Sequence, residues 1–294
     1  MSNNISFFKN QFIFDDGVYV HEKKDGYVEN FGKQWKDYRD IQLDSQNNFD
    51  ISQKYLEKMI FDDLSSLKNK TILEIGCGAG RFTEHFSKYS KMCISVDLSS
   101  AAYHNISKNE DNIKIIKADF TKLIPDEKFD IVFCRGVLQH TPDPFLSILK
   151  MYSFVKKDGF VFFDIYRMPK IGYAHPKYLF WRPVIKKIFT YEKFKNLLER
   201  NINKLLICKK IIKKISFGSN FISDLIIPIW NYENQIKLTK EQNKIWSIMD
   251  TLDGIYAKYD YPQKYKKIIK FLLKNNINII NTNKEINSFH TKLN

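Results

Sequence analysis

A short glycine-rich segment constrains the fold of this 294-residue chain more than any other feature. The apolar run that ends in Leu73-Glu74-Ile75 is followed by Gly76-Cys77-Gly78-Ala79-Gly80, and a helical pattern begins after it. Three alternating glycines permit a tight turn and let a ligand approach the backbone, because no Cβ stands in the way. Such a turn predicts a doubly wound α/β fold with a ligand site at the carboxyl end of the strand.

The glycine spacing and the acids near it indicate the kind of ligand. The spacing is G-x-G-x-G and differs from the G-x-G-x-x-G of dinucleotide-binding proteins. Glu74 suits an amino-bearing, cationic ligand better than a pyrophosphate. Asp97 ends the second predicted strand, where an acid can accept both hydroxyls of a ribose. Asp119 ends the third, where it can accept from an adenine amine while Phe120 covers the ring. These residues together predict a pocket for adenosine joined to an amino acid.

The hydrophobic pattern predicts strands alternating with helices, and hence a mostly parallel sheet covered by helices on both faces. An amphipathic helix is expected at 50–66, and a turn at Lys157-Asp158-Gly159. The remaining predicted elements are strands at Thr71–Ile75, Met92–Val96, Asn112–Lys117, Phe129–Cys134 and Phe160–Ile165, and helices at Phe82–Tyr89 and Pro144–Val155.

The pattern changes after the fifth predicted strand. Residues 167–260 lack strand alternation, and helices are expected at Val184–Arg200, Lys204–Phe217 and Thr239–Ile255. A helix at Gln263–Asn275 and a strand at Ile277–Thr282 then suggest a return to the sheet. We therefore expect four parts, which are an N-terminal lid at 1–49, a cofactor-binding core at 50–166, a helical cap over the carboxyl edge of the sheet at 167–260, and a return to the sheet with a C-terminal tail at 261–294.

Residues 65–166 resemble the class I S-adenosylmethionine-dependent methyltransferases, which have a Rossmann-like fold. The resemblance runs through Glu74–Gly80, Val96-Asp97, Ala118-Asp119, the segment from Phe129 to His140, and Val155–Gly159. It implies that S-adenosylmethionine is the cofactor, with S-adenosylhomocysteine as its product. The cofactor-binding residues that it implies are Glu74, Gly76, Cys77, Gly78 and Gly80 for the methionine part, Asp97 with Leu98 for the ribose, Asp119 with Phe120 for the adenine, and Arg135 with Gly136 for the methionine end.

Two flanking segments resemble small-molecule methyltransferases of surface-polysaccharide and modified-sugar pathways. These are Phe31-Gly32-Lys33-Gln34-Trp35 and Asp250-Thr251-Leu252-Asp253 followed by Lys258-Tyr259. The resemblance implies O-methylation of a small sugar, nucleotide-sugar or phosphate-type metabolite, in capsule biosynthesis. Some of those relatives carry a zinc-binding cysteine cluster that this chain lacks, so no metal is expected.

His140 is the candidate catalytic residue, because it lies in the loop after the fourth predicted strand. A sugar hydroxyl needs a base, whereas a phosphate or carboxylate oxygen does not. The alternative for His140 is a packing role against the cofactor. Gln34 and Trp35 are expected either to cover the cofactor as a lid or to start a helix packed on the sheet. The other candidate substrate contacts are Tyr38, Arg39, Tyr166, Arg167, His175, Asp250, Asp253 and Tyr259.

The formal net charge of +14 is unevenly distributed. Residues 1–170 are balanced, whereas residues 171–294 carry 23 Lys and Arg against 9 Asp and Glu. Lysine dominates, which is typical of a biased genome, but a basic half also attracts a phosphorylated substrate or an anionic surface. In 204–217 the apolar residues favour a partly buried cap helix over one that lies on a membrane. The four cysteines form no C-x-x-C pair and no secretory signal is apparent, so we expect reduced thiols and a cytoplasmic location.

Three other functions remain open on the sequence. An RNA methyltransferase would suit the basic half, although arginine is scarce and no RNA-binding module is apparent. A non-catalytic, cofactor-binding partner subunit would keep the same glycine turn. A nicotinamide-dependent oxidoreductase is disfavoured by the glycine spacing.

Overall fold

The computed structural model describes residues 5–59, 63–216, 220–233 and 237–294. Within these ranges the chain forms a nine-stranded sheet and ten α-helices. The strands are β1 (Ile13–Asp15), β2 (Val18–Val20), β3 (Thr71–Ile75), β4 (Met92–Asp97), β5 (Ile113–Lys117), β6 (Phe129–Cys134), β7 (Val155–Asp164), β8 (Ile277–Asn283) and β9 (Ser288–Leu293). The helices are α1 (Glu29–Asp37), α2 (Asp44–Asn47), α3 (Ile51–Met59), α4 (Thr83–Tyr89), α5 (Pro144–Tyr152), α6 (Arg182–Ile188), α7 (Tyr191–Ile215), α8 (Asn220–Ile226), α9 (Lys240–Tyr256) and α10 (Tyr265–Lys274).

The sheet has the strand order β1-β2-β5-β4-β3-β6-β7-β9-β8. Strands β2 to β7 pair in parallel, whereas β1, β9 and β8 join their neighbours antiparallel. Alternating side chains of β3 enter two different apolar cores, with Leu73 and Ile75 on one face and Ile72 on the other. Both faces of the parallel strands are therefore buried, and the predicted doubly wound α/β fold is confirmed.

The chain divides into two compact units. The sheet unit comprises Met1–Met168 and Tyr259–Asn294, and the helical unit comprises Pro169–Lys258. The helical unit contains α6 to α9. No helix in the described part of the chain combines the length and apolar content needed to cross a bilayer.

Two parts of the sheet were not apparent in the sequence. The first is the hairpin of β1 and β2, whose turn residues Asp16 and Gly17 both have positive φ (42° and 80°). Strands of three residues are too short to show a period-2 pattern, so only the Asp-Gly pair signalled this hairpin. The second is β9, which pairs with both β7 and β8.

The region around Lys157-Asp158-Gly159 differs from the predicted turn. It lies within β7, where Val155 pairs with Phe129 and Phe160 pairs with Ile131, so the register shifts across the segment between them. A Cβ on Gly159 would lie 2.6 Å from the carbonyl oxygen of Asp130, which explains why glycine is needed there. The predicted turn is thus an irregularity inside a longer strand.

The helices of the helical unit begin and end at other residues than predicted. The expected helix Val184–Arg200 is broken after Ile188, because Phe189 and Thr190 are extended and the Thr190 side chain caps α7 by accepting from the Lys193 N–H. α7 then runs without interruption to Ile215, since no proline or glycine intervenes.

In the sheet unit, the predicted helix 50–66 divides into α3 and a 3-10 turn at Leu64–Leu67. Its Ile60, and Phe217 at the end of another predicted helix, lie outside the described residues.

Candidate functional site

The strand order reverses between β3 and β6, which places a crevice at their carboxyl ends. β3 leads to β4 and β5 on one side, and β6 leads to β7 on the other. In open α/β sheets ligands bind at such a switch point. The glycine turn follows β3 and Arg135-Gly136 follow β6, so both predicted segments border this crevice.

The three glycines of the turn have positive φ values of 77° (Gly76), 53° (Gly78) and 102° (Gly80). A Cβ on Gly76 would lie 2.0 Å from Cγ2 of Val137. A Cβ on Gly78 would lie 3.0 Å from the indole of Trp35. Other residues rarely adopt this backbone conformation, and here the space is also filled. A ligand that crosses Gly78 therefore contacts Trp35 or displaces it.

Asp97 fixes the turn to the end of β4. Its Oδ2 accepts the backbone N–H of Gly78 at 2.8 Å, and its Oδ1 accepts the N–H and the hydroxyl of Ser99 at 2.8 and 2.6 Å. Burial raises the pKa of this carboxyl, and the same hydrogen bonds partly offset the rise. A carboxylate can accept about four hydrogen bonds, so acceptor capacity remains for a ribose hydroxyl.

Asp119 lies at the end of β5. Its Oδ1 accepts the N–H and the hydroxyl of Thr121 at 3.0 and 2.7 Å, which caps a 3-10 turn. Burial, and then the charges of Asp119, Tyr259 and Asp97, raise the pKa of Tyr27. The Tyr27 and Tyr259 rings lie 5.4 Å apart. Two tyrosines therefore stand beside the predicted adenosine pocket, and Tyr27 was not identified from the sequence.

A buried lysine ties the N-terminal segment to this edge of the sheet. Lys117, 2% exposed, donates to the carbonyl oxygen of Leu98 at 3.1 Å and to that of Glu22 at 2.9 Å. Its Nζ also pairs with Asp25 Oδ1 at 3.0 Å, and Asp25 Oδ2 accepts the Ser100 N–H. This connection was missed in the sequence, where Lys117 was treated as the last residue of a strand.

Glu74 is 1% exposed and faces two hydroxyl groups. Thr83, the first residue of α4, and Ser95 of β4 each donate to its Oε2 at 2.7 Å. Burial raises the pKa of Glu74 to about 7. The carboxyl group thus joins β3, β4 and α4, and contact with a cofactor amino group would be made in addition to these bonds.

Arg135, Asp164 and Tyr55 form a cluster at the carboxyl ends of β6 and β7. The Arg135 guanidinium lies 4.2 Å over the Tyr55 ring, and its Nε is 3.7 Å from Asp164 Oδ2. Asp164 Oδ1 accepts the Gly136 N–H at 2.6 Å. Arg81 is the second cation near Asp164. Two guanidinium groups near one carboxylate leave an excess positive charge, which attracts an anionic group.

His140 packs in the sheet unit with 5% exposure. Its ring lies 4.8 Å from that of Phe31 and 5.3 Å from that of Tyr166. Its Nδ1 is 2.9 Å from the carbonyl oxygen of Tyr259. A carbonyl can only accept, so Nδ1 carries the hydrogen and the lone pair of the neutral ring is at Nε2. The structure therefore brings His140, Tyr166 and Tyr259 together.

The remaining predicted residues of the sheet unit have varied surroundings. Gln34 is buried in α1, while Arg39 is exposed and pairs with Asp40 at 2.7 Å. Phe120 and Cys77 are buried in the sheet unit, at 5% and 3% exposure, and burial raises the pKa of the Cys77 thiol. Tyr38 caps α1 at its C-terminus, and Arg167 forms an isolated bridge with Gln263.

Three predicted substrate contacts lie in the helical unit. His175 Nε2 is 3.7 Å from Asp224 Oδ2, and the Tyr232 hydroxyl donates to Asp250. Asp253 lies on α9. Contact of these residues with a substrate remains a prediction.

Asp44, Glu84 and His85 form a buried polar cluster at the first turn of α4. Asp44 accepts the N–H groups of Ser52 and Gln53 at the start of α3, and Glu84 accepts the N–H of Asp44 at 2.8 Å. His85 Nε2 lies 3.2 Å from Asp44 Oδ2. Burial acts to raise the pKa of Asp44, but His85 and these N–H groups outweigh it and lower the pKa. The cluster holds α2 and α3 against α4.

Residues 73–163 match a family model described as a methyltransferase domain. Among curated proteins, the chain is 32% identical over 116 residues to a ubiquinone biosynthesis O-methyltransferase of Coxiella burnetii, covering 38% of this chain and 47% of that protein. It is 35% identical over 105 residues to the protein of the same name from Hydrogenovibrio crunogenus, covering 34% and 44%. The chain thus spans about half the length of the curated relatives it matches.

Among solved structures, the fold is similar to magnesium protoporphyrin IX methyltransferase from Synechocystis PCC 6803 with bound SAH. The TM-score is 0.48 at 14% identity, with 91% of this chain and 97% of that one covered. A methyltransferase from Clostridium acetobutylicum gives a TM-score of 0.43 at 15% identity, with 89% and 92% covered. The family match indicates that the centre of the sheet unit, residues 73–163, resembles a methyltransferase domain.

Proposed function

We propose that the chain is an S-adenosylmethionine-dependent O-methyltransferase that acts on a small anionic or sugar-like metabolite. The observation that carries the proposal is the glycine turn at the switch point, held by the bond from the Gly78 N–H to Asp97. The side chains at the site fit the cofactor, because the carboxylates of Asp97 and Asp119 can accept hydrogen bonds from hydroxyl and amine groups. Gly136 also has open space where a Cβ would stand. When bound, the cofactor supplies a methyl group on a positively charged sulfur.

The residues of the chain supply position and charge in this proposal. Asp97 accepts from the ribose hydroxyls and Asp119 from the adenine amine. Trp35 packs over the turn and excludes water from it. Binding both reactants in one geometry provides most of the rate in a displacement of this kind.

The cluster of Arg135, Arg81 and Asp164 gives the support for an anionic acceptor. Its excess positive charge would bind a carboxylate or phosphate, either on the acceptor or on the methionine part of the cofactor. A phosphate-type acceptor oxygen needs no base. For a sugar hydroxyl, His140 with its lone pair at Nε2 is the proposed base.

The pathway is the finer part of the proposal. The segment from Phe31 to Trp35 supports O-methylation of a sugar or nucleotide-sugar in surface-polysaccharide biosynthesis. The names of the curated relatives support a second candidate, which is a phenolic acceptor of the ubiquinone-biosynthesis type.

The test is methyl transfer from labelled S-adenosylmethionine to a panel of nucleotide-sugars, sugar phosphates and phenolic acids, followed by mass spectrometry of the products. We expect a labelled product from one of the anionic acceptors. Arg135→Gln should then raise the KM of that acceptor about tenfold or more. If the guanidinium binds the cofactor instead, the variant weakens adenosylhomocysteine affinity. A control is Lys156→Gln, because Lys156 pairs with Asp130 at the opposite edge of the sheet. Methylation of none of these compounds, or of RNA alone, would contradict the proposal.

A further inference from the structure

The helical unit exposes large apolar side chains along α7. Ile207, Ile211 and Ile215 are 60%, 51% and 72% exposed. They lie four residues apart, so they share one face of the helix. The sequence favoured a partly buried cap helix over 204–217, and within it Ile211 and Ile215 are exposed.

The short helix α8 also exposes apolar side chains, but it is fastened to another side of α7 than the isoleucines. Lys209 of α7 pairs with Asp224 of α8 at 2.6 Å, which fastens the two helices together. Phe221, Leu225 and Ile226 of α8 are 47%, 44% and 52% exposed. Lys209 is two residues from both Ile207 and Ile211, so it lies on the other side of α7. We call Ile207, Ile211 and Ile215 the exposed apolar face.

The same unit carries most of the net positive charge of the chain. Residues 169–258 contain 17 Lys and Arg against 7 Asp and Glu, which gives +10 of the total +14. Lys204 and Lys214 are exposed on the isoleucine side of α7, and Lys213 is exposed on its other side. Lysine can bury its aliphatic stem beside apolar groups while its ammonium group reaches a polar layer.

We propose that the exposed apolar face binds an anionic lipid surface. The isoleucines enter the boundary between headgroups and acyl chains, and the lysines meet the lipid phosphates. A basic helix with exposed apolar residues has the composition of helices that lie in a membrane interface.

Charge and chemistry favour a lipid surface over two other occupants. A second copy of the chain would bring two units of +10 against each other, which opposes association. A nucleic acid would satisfy the lysines but would leave the isoleucines without apolar contacts. Arg200 is also the one arginine on α7, whereas arginine is the preferred residue for reading nucleic acids.

The experiment is flotation of the 294-residue chain with vesicles. We expect it to float with mixed phosphatidylcholine and phosphatidylglycerol vesicles, and about tenfold less with phosphatidylcholine alone. Raising NaCl from about 0.05 to about 0.5 M should release it in large part. The triple variant Ile207→Ser, Ile211→Ser, Ile215→Ser should lower the vesicle partition coefficient about tenfold or more.

The matched control changes three exposed apolar residues of the sheet unit. Ile124→Ser, Leu146→Ser and Leu273→Ser replace side chains that are 53%, 65% and 61% exposed, and we expect unchanged flotation. Circular dichroism and the Tm check that both triple variants are folded. The proposal is overturned by absent flotation of the wild-type chain, by equal loss in both triple variants, or by a dimer that forms through α7 while vesicles are ignored. Binding of RNA but not of vesicles overturns it as well.

Discussion

The backbone N–H of Gly78 and the carboxylate of Asp97 are joined by a 2.8 Å hydrogen bond. The bond holds the turn after β3 against the end of β4, so the two segments at the predicted cofactor site are connected. Asp97 lies far from Gly78 in sequence but next to it in the parallel sheet, because β3 and β4 are neighbours. The proposed cofactor site depends on this connection.

Replacement of Gly78 tests whether the turn needs glycine. Gly78→Ala places a Cβ 3.0 Å from the Trp35 indole at a φ of 53°, so both strain and crowding result. We expect a loss of about 1–2 kcal/mol in unfolding free energy from the left-handed conformation and about tenfold weaker adenosylhomocysteine binding. Urea unfolding and calorimetry measure the two effects. Gly172→Ala is the control, since Gly172 has a φ of 61° with nothing near its Cβ. Equal cofactor affinity in both variants would show that the turn does not contact the ligand.

The buried carboxyl group of Glu74 predicts a pH-dependent stability. Its pKa of about 7 lies above the ordinary value of 4.5, so the folded chain holds a proton that the unfolded chain has released between these values. The stability that Glu74 contributes is therefore present at low pH and lost as the pH rises through about 7. Glu74→Gln should remove this loss, and it should be more stable than the wild-type chain at pH 8 by about 2–3 kcal/mol. Urea unfolding of both proteins at pH 5.5 and pH 8 measures this difference in stability. The same difference in unfolding free energy between Glu74→Gln and the wild-type chain at both pH values would show that burial does not raise the pKa of Glu74.

His290 predicts the opposite pH dependence. Its ring lies 4.0 Å from that of Phe162, and burial lowers its pKa to about 4. The unfolded chain then binds a proton that the folded chain does not, so stability falls as the pH drops from about 6.5 to 4. His290→Gln, which does not titrate, should lose less stability over that range than the wild-type chain. Parallel profiles of Tm against pH would refute this prediction.

Replacement of His140 tests whether the acceptor is a hydroxyl group that needs a base. If a sugar hydroxyl is the acceptor and His140 the base, His140→Gln should lower kcat about 100-fold and leave adenosylhomocysteine binding unchanged. A near-normal kcat with a lowered Tm would assign His140 a packing role between Phe31 and Tyr166.

The local pattern was sufficient to predict the central strands and the turn. β3 to β6 alternate with turns and helices, and their apolar residues are consecutive because both faces of the sheet are buried. The turn of three glycines after β3 could be predicted as well, because a tight turn depends on the residues that form it and not on distant contacts.

The contacts that the sequence did not reveal join residues distant along the chain. Lys117 meets Asp25, and Asp164 meets Arg135, only after the strands have paired. The hairpin of β1 and β2 consists of strands too short to show a period. The sequence pattern predicted two helices where the structure has the single helix α7. The basic and apolar residues of α7 do not follow one continuous buried stripe, so the pattern did not show that the helix is continuous.

The most direct test of the proposed cofactor site is calorimetric titration of the 294-residue chain with adenosylhomocysteine. We predict saturable binding to one site, weakened about tenfold or more in Asp97→Asn, where a hydroxyl acceptor is lost. Asp130→Asn is the matched control, because Asp130 bonds to Thr71 at the opposite end of β3 and should leave the affinity unchanged. Absence of binding to the wild-type chain, or equal affinity in all three proteins, would contradict the proposed site.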